Sequence, residues 1–576
     1  MPKSVFKSLK MAWSLSRHGW YLTLSFAAPL YYGVVTLIYV FSHDYIVQDD
    51  MRQHVVWFQQ FIDPTAFQGD AIAQYFRSVA PLGFTTVYKL GALAGIRPLL
   101  LAKLLPLPLA LITTVFIFYT TLAIAPVPLA AWIATLILNQ HLWLNDDLVS
   151  ATPRAFVYPL FSAFLYFCVR RSLIPMLVAI ALLGLFFPQM MLVAIAVVMV
   201  QLVQVNWRSI RFSGRQRWVF AVLSLVVAAV IIIPFVMNVS DYGPAVTAEQ
   251  MQVQPEYGLG GRNEYFGVSP LSFALHGASG LRIPVFPSII WVGLALPFLM
   301  RWKSSTIEAI KPSARILIDL TVASLCLFTL AHILLLRLHF PSRYMYHSWR
   351  FILSISAGIV IAAILERAGI YWLPKTRDRT ISIISGLILL VLIGVPMIPP
   401  LIITFQGWVI GGTPDIYAYL SDAPSHTLVA SLAPEGNNIP AFTGQSAWTG
   451  REFSLPHHPN YYAIVHNRTA RLLDAHYSLQ LFDSVELAQV EGIDFFLIER
   501  SAFEPMYLYQ DWLLYSQLQP RVREIMANME NGQQPAIANY LSTCGVASSD
   551  NAVLVSATCL SSVSQTHHQS NITEGN

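Results

Sequence analysis

The chain has 576 residues, 55% of them hydrophobic and 11% charged, with a formal net charge of +4. Soluble domains carry about 25% charged residues, so a string of soluble domains is excluded, as are a disordered and a collagen-like chain. Four Cys are too few for a disulfide framework, and a charge this mild gives no reason to expect a nucleic-acid partner.

In chain order, apolar runs near the roughly 20 residues that cross a bilayer fall at 20–42, 100–123, 126–144, 153–170, 217–237, 285–300, 314–337, 347–366 and 380–404. Residues 173–205 would make one helix of about 50 Å at about 1.5 Å per residue, and Pro188 interrupts it, so two spans are predicted, 173–187 and 189–205. Eleven spans result. Basic clusters at Lys3, Lys7, Lys10 and Arg17, at Arg170 and Arg171, and at 208–217, 301–315 and 367–379 then all fall on one side. By the positive-inside bias that side is cytoplasmic. The N-terminus is expected inside and the C-terminus outside a plasma (inner) membrane. The first run is too long for a cleaved signal and lacks a small-residue cleavage site. After residue 405 the chain holds 6 Arg, no Lys and 16 Asp plus Glu, a net −10, so residues 1–404 carry +14. The expected fold class is therefore an α-helical polytopic membrane domain, 1–404, followed by a soluble extracytoplasmic α/β domain, 405–576, with a disordered tail.

The outer loops are expected at 43–99, 145–152, 238–284 and 338–346. In the first, YIVQDDMRQH (45–54) places Asp49 and Asp50 at the lipid–water boundary, followed by helical segments at 55–61, 70–76 and 81–96. A carboxylate pair there costs desolvation unless it is paired or liganded; the plain alternative is a solvated pair beside Arg52. The second loop repeats the pattern with Asp146 and Asp147, and Arg154 enters the next span. An arginine at that depth pairs well with phosphate or carboxylate, or else snorkels as an interface anchor.

An Asp-Asp after span one, surface helices, the segment PLGFTTVYKLGALAGI (81–96), an acidic second loop and an Arg entering span four together resemble the GT-C superfamily of integral membrane glycosyltransferases. The protein mannosyltransferase and aminoarabinose transferase branch is the nearest likeness, over roughly residues 15–205. The resemblance implies that Asp49 or Asp50 acts as base or metal ligand and that Asp146 or Asp147 assists. It also implies that basic residues at outer span ends bind the phosphate of a polyprenyl-phosphate sugar donor. The first loop reads Asp-Asp where protein mannosyltransferases have Asp-Glu, which leaves the acceptor open. Sugar transfer needs a base for a weakly nucleophilic hydroxyl and positive charge on the leaving phosphate. If a divalent ion takes part, the four carboxylates are oxygen ligands suited to Mg²⁺ or Mn²⁺.

Further along, Asp319 is the main charge inside a span. At the last outer loop Arg343, His347 and Arg350 recur at helical spacing. They read as a clamp for the donor phosphate, or as interface anchors together with Tyr344 and Tyr346. The long loop 238–284 reads as a lid with Arg262 and Glu264 as its contacts, or as plain connection. In the outer domain, Cys544 and Cys559 can form a disulfide in an oxidising compartment or remain free buried thiols. His457–His458 and His567–His568 lack zinc-ligand spacing and are taken as surface. Cys168 and Cys326 read as packing residues, and Asn238, Asn467 and Asn571 open Asn-X-Ser/Thr triplets. The leading expectation is a membrane glycosyltransferase acting on a lipid, glycan or protein acceptor. The rivals are a transporter or flippase, and a scaffold displaying the outer domain.

Overall fold

The computed structural model describes residues 18–206, 209–237, 242–367 and 379–574. The basic N-terminal residues, Arg208, Asn238 and most of the loop 367–379 lie outside them. Among the described residues, five helices are long and apolar enough to cross a membrane: His18–Phe41, Pro98–Ile124, Arg215–Ile233, Pro312–Ile333 and Ser342–Arg367. Shorter apolar helices accompany them at Val157–Arg170, Leu173–Phe186, Pro188–Val200 and Ser288–Leu299. These helices make it a multi-pass membrane protein. Leu173–Phe186 and Pro188–Val200 are separate, with Phe187 extended between them. Pro188 lacks an N–H and cannot continue the preceding helix.

The helix Ser342–Arg367 is the axis of the bundle, buried along most of its length. It packs on Pro128–Trp143 through small residues. A Cβ on Gly358 would lie 2.5 Å from the carbonyl oxygen of Ala130 and 2.8 Å from the Ala134 Cβ, so only glycine permits the approach. The buried hydroxyls of Ser324 and Ser348 bond across helices at 2.7 Å, and Asn139 donates to Thr114 at 2.8 Å. Such pairs satisfy polar groups that lipid would leave bare.

The segment after the first span and the segment after the last apolar helices pair directly. Strand β1 (Ile46–Gln48) runs antiparallel to β4 (Trp408–Ile410), with Val47 opposite Val409. A hairpin of β2 (Val203–Asn206) and β3 (Ser209–Phe212) closes the helix Pro188–Val200. Beyond β4 lies a five-stranded mixed sheet in the order β6-β5-β7-β9-β8. Its strands are β5 (Leu428–Ala430), β6 (Ser446–Ala447), β7 (Phe495–Glu499), β8 (Gly545–Ser548) and β9 (Ala552–Ser556). The first three are parallel, β9 runs antiparallel to β7, and β8 runs antiparallel to β9. Helices Pro459–His476, Leu481–Glu491 and Gln519–Glu530 pack on it around Trp448, Phe496 and Leu513. Cys544 and Cys559 are bonded to each other. The tail expected to be disordered continues as part of the helix Ala557–Glu574, which is seated on the domain core by Ala557 and Leu560.

Candidate active site

The acidic cluster forms where four segments meet. Gln48 accepts the Asp50 N–H at 2.9 Å and starts the short helix Asp49–His54. The Asp49 N–H donates to the Gly407 carbonyl at 3.0 Å. Gly407 has a φ of +67°, and a Cβ there would stand 3.9 Å from the Asp49 Cβ and 3.8 Å from the Asp146 Cβ. The junction between the membrane bundle and the outer sheet is thus the floor of the site.

The one-turn helix separates the first acidic pair. Asp49 turns back to Arg52, three residues on, whose guanidinium also donates to Asn438 Oδ1 at 2.8 Å. Asp50 points the other way and pairs with Arg154. The same Arg154 guanidinium lies 3.4 Å from Asp146 Oδ2 and 3.2 Å from Asp147 Oδ1. Three carboxylates from two outer loops therefore converge on one arginine, and Asp50 Oδ2 and Asp147 Oδ1 are buried without a hydrogen bond.

The second pair divides as well. Asp147 is fully buried, and Arg350 Nη1 donates to it at 2.6 Å while the Tyr346 hydroxyl donates at 2.6 Å. Burial alone would push its carboxyl up, but Arg350 and these donors together hold it below the ordinary carboxylate range. Asp146 is pushed up to about 6 by burial and by the neighbouring Asp147 charge, while its own backbone N–H and the charges of Arg350 and Arg282 pull the other way. Adjacent carboxylates with separated proton affinities mark a site able to hold and release a proton.

The basic residues also sort by partner. Arg350 is 1% exposed, bonds Tyr158 and Tyr346 besides Asp147, and lies 4.1 Å from the Tyr346 ring centroid. The charges of Arg343 and Arg350 both reach His347, so the three residues expected as a clamp lie near one another. His347 is also buried, its Nδ1 3.2 Å from the Tyr158 hydroxyl. Arg343 has no carboxylate within 4.0 Å among the described residues and faces Phe187 at 5.6 Å. Arg282, at the end of the long loop, is likewise free of a carboxylate and lies 5.0 Å from the Tyr346 ring.

Sequence reading missed Arg282 and three histidines around Arg343. His54 is pushed down to about 4 and His457 to about 3, in both cases by burial first and then by the Arg343 charge. His339 is held well down for the same reasons. His457 and His458 are therefore not surface residues. His457 packs against His339 at 5.8 Å and Phe340 at 5.7 Å, and His458 meets the Tyr75 hydroxyl at 3.0 Å. The only advance signal was their position beside prolines and aromatics. The expected lid contacts lie at the outer domain: Arg262 bonds Glu452 Oε2 at 3.2 Å and the Arg451 carbonyl, while Glu264 accepts the Gly260 N–H at 3.4 Å. Gln53 also donates to Glu452, at 2.6 Å, so Glu452 ties the first loop to the long loop.

No family model matches the chain, and no curated protein matches it in sequence. Solved structures do. The Archaeoglobus fulgidus oligosaccharyltransferase tethered with an acceptor peptide containing the NVT sequon superposes with a TM-score of 0.53 at 12% identity. That match covers 88% of this chain and 72% of that one. The same enzyme in the apo form gives 0.52 at 12% identity over the same shares. A mycobacterial arabinofuranosyltransferase, AftD, gives 0.46 at 14% identity, over 82% of this chain and 36% of its own. The fold is that of the archaeal oligosaccharyltransferase.

Proposed function

We propose that the protein is a GT-C-type glycosyltransferase that moves a sugar from a polyprenyl-phosphate donor to an acceptor at the outer membrane face. The observation that carries this reading is the convergence of Asp50, Asp146 and Asp147 on Arg154, beside Arg343 and Arg282, which have no carboxylate within 4.0 Å among the described residues. Asp50, with Asp146, accepts the proton of the attacking acceptor group. As the new glycosidic bond forms, the sugar–phosphate bond breaks and the leaving phosphate takes the electron pair. Arg343 and Arg282 then face the phosphate charge, and neutral His54, His339 and His457 offer hydrogen bonds without competing for it. Asp147 and Arg350 position Arg154.

The carboxylates do not fit a resident divalent ion: the facing oxygens of Asp50, Asp146 and Asp147 already pair with Arg154, and among the described residues no group of three acidic, His or Cys side chains is placed to hold one. Arg154 supplies the positive charge there instead. The same reading takes eleven spans, the N-terminus inside and residues 405–576 outside the plasma membrane as an acceptor-recognition domain. A disulfide in that region is supporting evidence, because such bonds persist in oxidising compartments.

The test compares single variants in a transfer assay with lipid-linked sugars. Asp50→Asn is expected to lower the rate by about 10²- to 10⁴-fold, with unchanged expression and melting temperature, whereas Asp49→Asn changes it little. A folded Asp50→Asn protein with full activity would sink the assignment. Chelation followed by Mn²⁺ or Mg²⁺ titration checks this: activity is expected to survive chelation, and a loss that either ion restores would show that a metal displaces Arg154.

A further inference from the structure

At the opposite end of the helix Val157–Arg170 from Arg154 lies a second convergence of arginines. Arg171 follows that helix in a left-handed conformation, with a φ of 55°, and is exposed. Arg217 stands in the first turn of Arg215–Met237, and Arg315 begins Arg315–Ile333. Arg171 and Arg315 are both within electrostatic reach of Arg217. One buried carboxylate, Asp319, answers them, with Arg315 Nε at 3.1 Å. Arg315 also donates to the Val203 carbonyl at 2.6 Å, and Arg217 to the Gln201 carbonyl at 2.9 Å. Among the described residues, Arg171 and Arg217 have no carboxylate within 4.0 Å.

The positive-inside bias accounts for basic residues on this side of the membrane. It does not require that three arginines from three helices meet around one carboxylate, since separate positions would orient the chain equally well. Bringing them together costs mutual repulsion, which an anion relieves. The surroundings identify where the anion would come from. Phe212 is 72% and Trp218 45% exposed, with ring centroids 6.4 Å apart, as in an interfacial aromatic belt. The helix running on from Trp218 is exposed along most of its length and offers an apolar track for acyl chains.

We infer that Arg171, Arg217 and Arg315 form a binding site for the phosphate of an anionic phospholipid on the membrane face opposite the acidic cluster. Arginine suits it, since its planar fork can bind two phosphate oxygens at once. The site is independent of the glycosyltransferase reading.

The experiment measures lipid retention on the delipidated full chain by native mass spectrometry, and the melting temperature with added lipid. Phosphatidylglycerol is expected to be retained in preference to phosphatidylcholine with the same chains, and to raise the melting temperature further. Arg171→Glu and Arg217→Gln should each weaken that preference roughly fivefold or more. Arg301→Gln/Lys303→Gln, from another basic segment of the same face, should preserve it. Because the preference is read within each variant, a loss of absolute stability does not obscure it. Equal retention of the two lipids, an unchanged preference in Arg171→Glu, or an equal loss in the 301/303 variant would overturn the site. Millimolar inorganic phosphate reproducing the stabilisation would overturn the lipid as its source.

Discussion

The two ends of the helix Val157–Arg170 gather the same residue types in opposite proportions. At one end Asp50, Asp146 and Asp147 surround Arg154, and the nearby Asp147 is fully buried. At the other, Arg171 and Arg315 lie within electrostatic reach of Arg217, and Arg315 pairs with Asp319. Membrane topology explains an excess of arginine at one boundary, but it gives no reason to bury carboxylates at the other. Burying a charge requires partners, and the acidic end recruits them from the first loop, the second loop, the axial helix and the junction after residue 405. The difference teaches that one end gathers three carboxylates around a single arginine, whereas the other holds one buried carboxylate, Asp319, among arginines.

Removing the anchor of that face is the most severe way to break the comparison. Arg350→Leu strands Asp147 as a buried charge, which should cost about 3–5 kcal/mol. The measurement is detergent-based unfolding, and adding Asp147→Asn to the same chain should restore part of the loss. If Arg350→Leu leaves stability unchanged, the pair is not the site's anchor. Next in size, Arg343→Gln should weaken donor binding by roughly 10- to 100-fold, the equivalent of about 1.5–3 kcal/mol for bonds to a charged group. It should leave the melting temperature untouched, because Arg343 has no carboxylate partner to strand. A titration with lipid-linked donor reads this as a change in KM.

Much of the acidic face was legible because charge at the end of an apolar run stands out: both Asp pairs, Arg154 and the region around Arg343 were found that way. The (i, i+3) spacing of Asp49 and Arg52 already hinted at which acid would be tied off, but the choice needed the cap from Gln48 and the approach of Gly407. Residues such as His54, His339, His457 and Glu452 meet only through tertiary packing across hundreds of positions, and no local period records that. The same holds for the pairing of Val47 with Val409. Local calls also slipped where helix geometry tightened. The run 285–300, expected as one span, forms a 3₁₀ stretch Ser288–Ala295 and a short helical turn Leu296–Leu299, packed so closely on the axial helix that a Cβ on Gly293 would lie 2.5 Å from the Leu353 carbonyl oxygen. Residues 438–442 fold as the end of a 3₁₀ segment and the helix Ile439–Thr443, with Pro440 placed in its first turn.

A gentler probe is pH. Asp146 binds its proton more tightly in the folded chain, up to about 6 against an ordinary 3.8. Its contribution to stability is therefore full below the unfolded value and is lost as pH rises through about 6. Activity should run the other way, rising with a midpoint near 6 as the carboxylate ionises. Asp146→Asn should remove that limb from the pH–rate profile. A limb that persists in Asp146→Asn would assign it to another group.

The smallest expected effect lies where the long loop meets the outer domain. Arg262 is 17% exposed, its partner Glu452 8%, and the guanidinium also holds two backbone carbonyls. Arg262→Gln keeps a donor and loses the charge, so it should cost about 1 kcal/mol or less, a two- to fivefold change. If the loop closes over bound substrate, the change should appear in KM and in protease cutting between residues 242 and 284, with unfolding unaltered. Glu452→Gln should do more, because Glu452 also receives Gln53 from the helix that carries Asp50. Equal effects of the two substitutions would mean that the loop and the acidic face are joined only through the ion pair. A larger effect of Glu452→Gln would place the coupling in the carboxylate itself, between the membrane loops and the sheet.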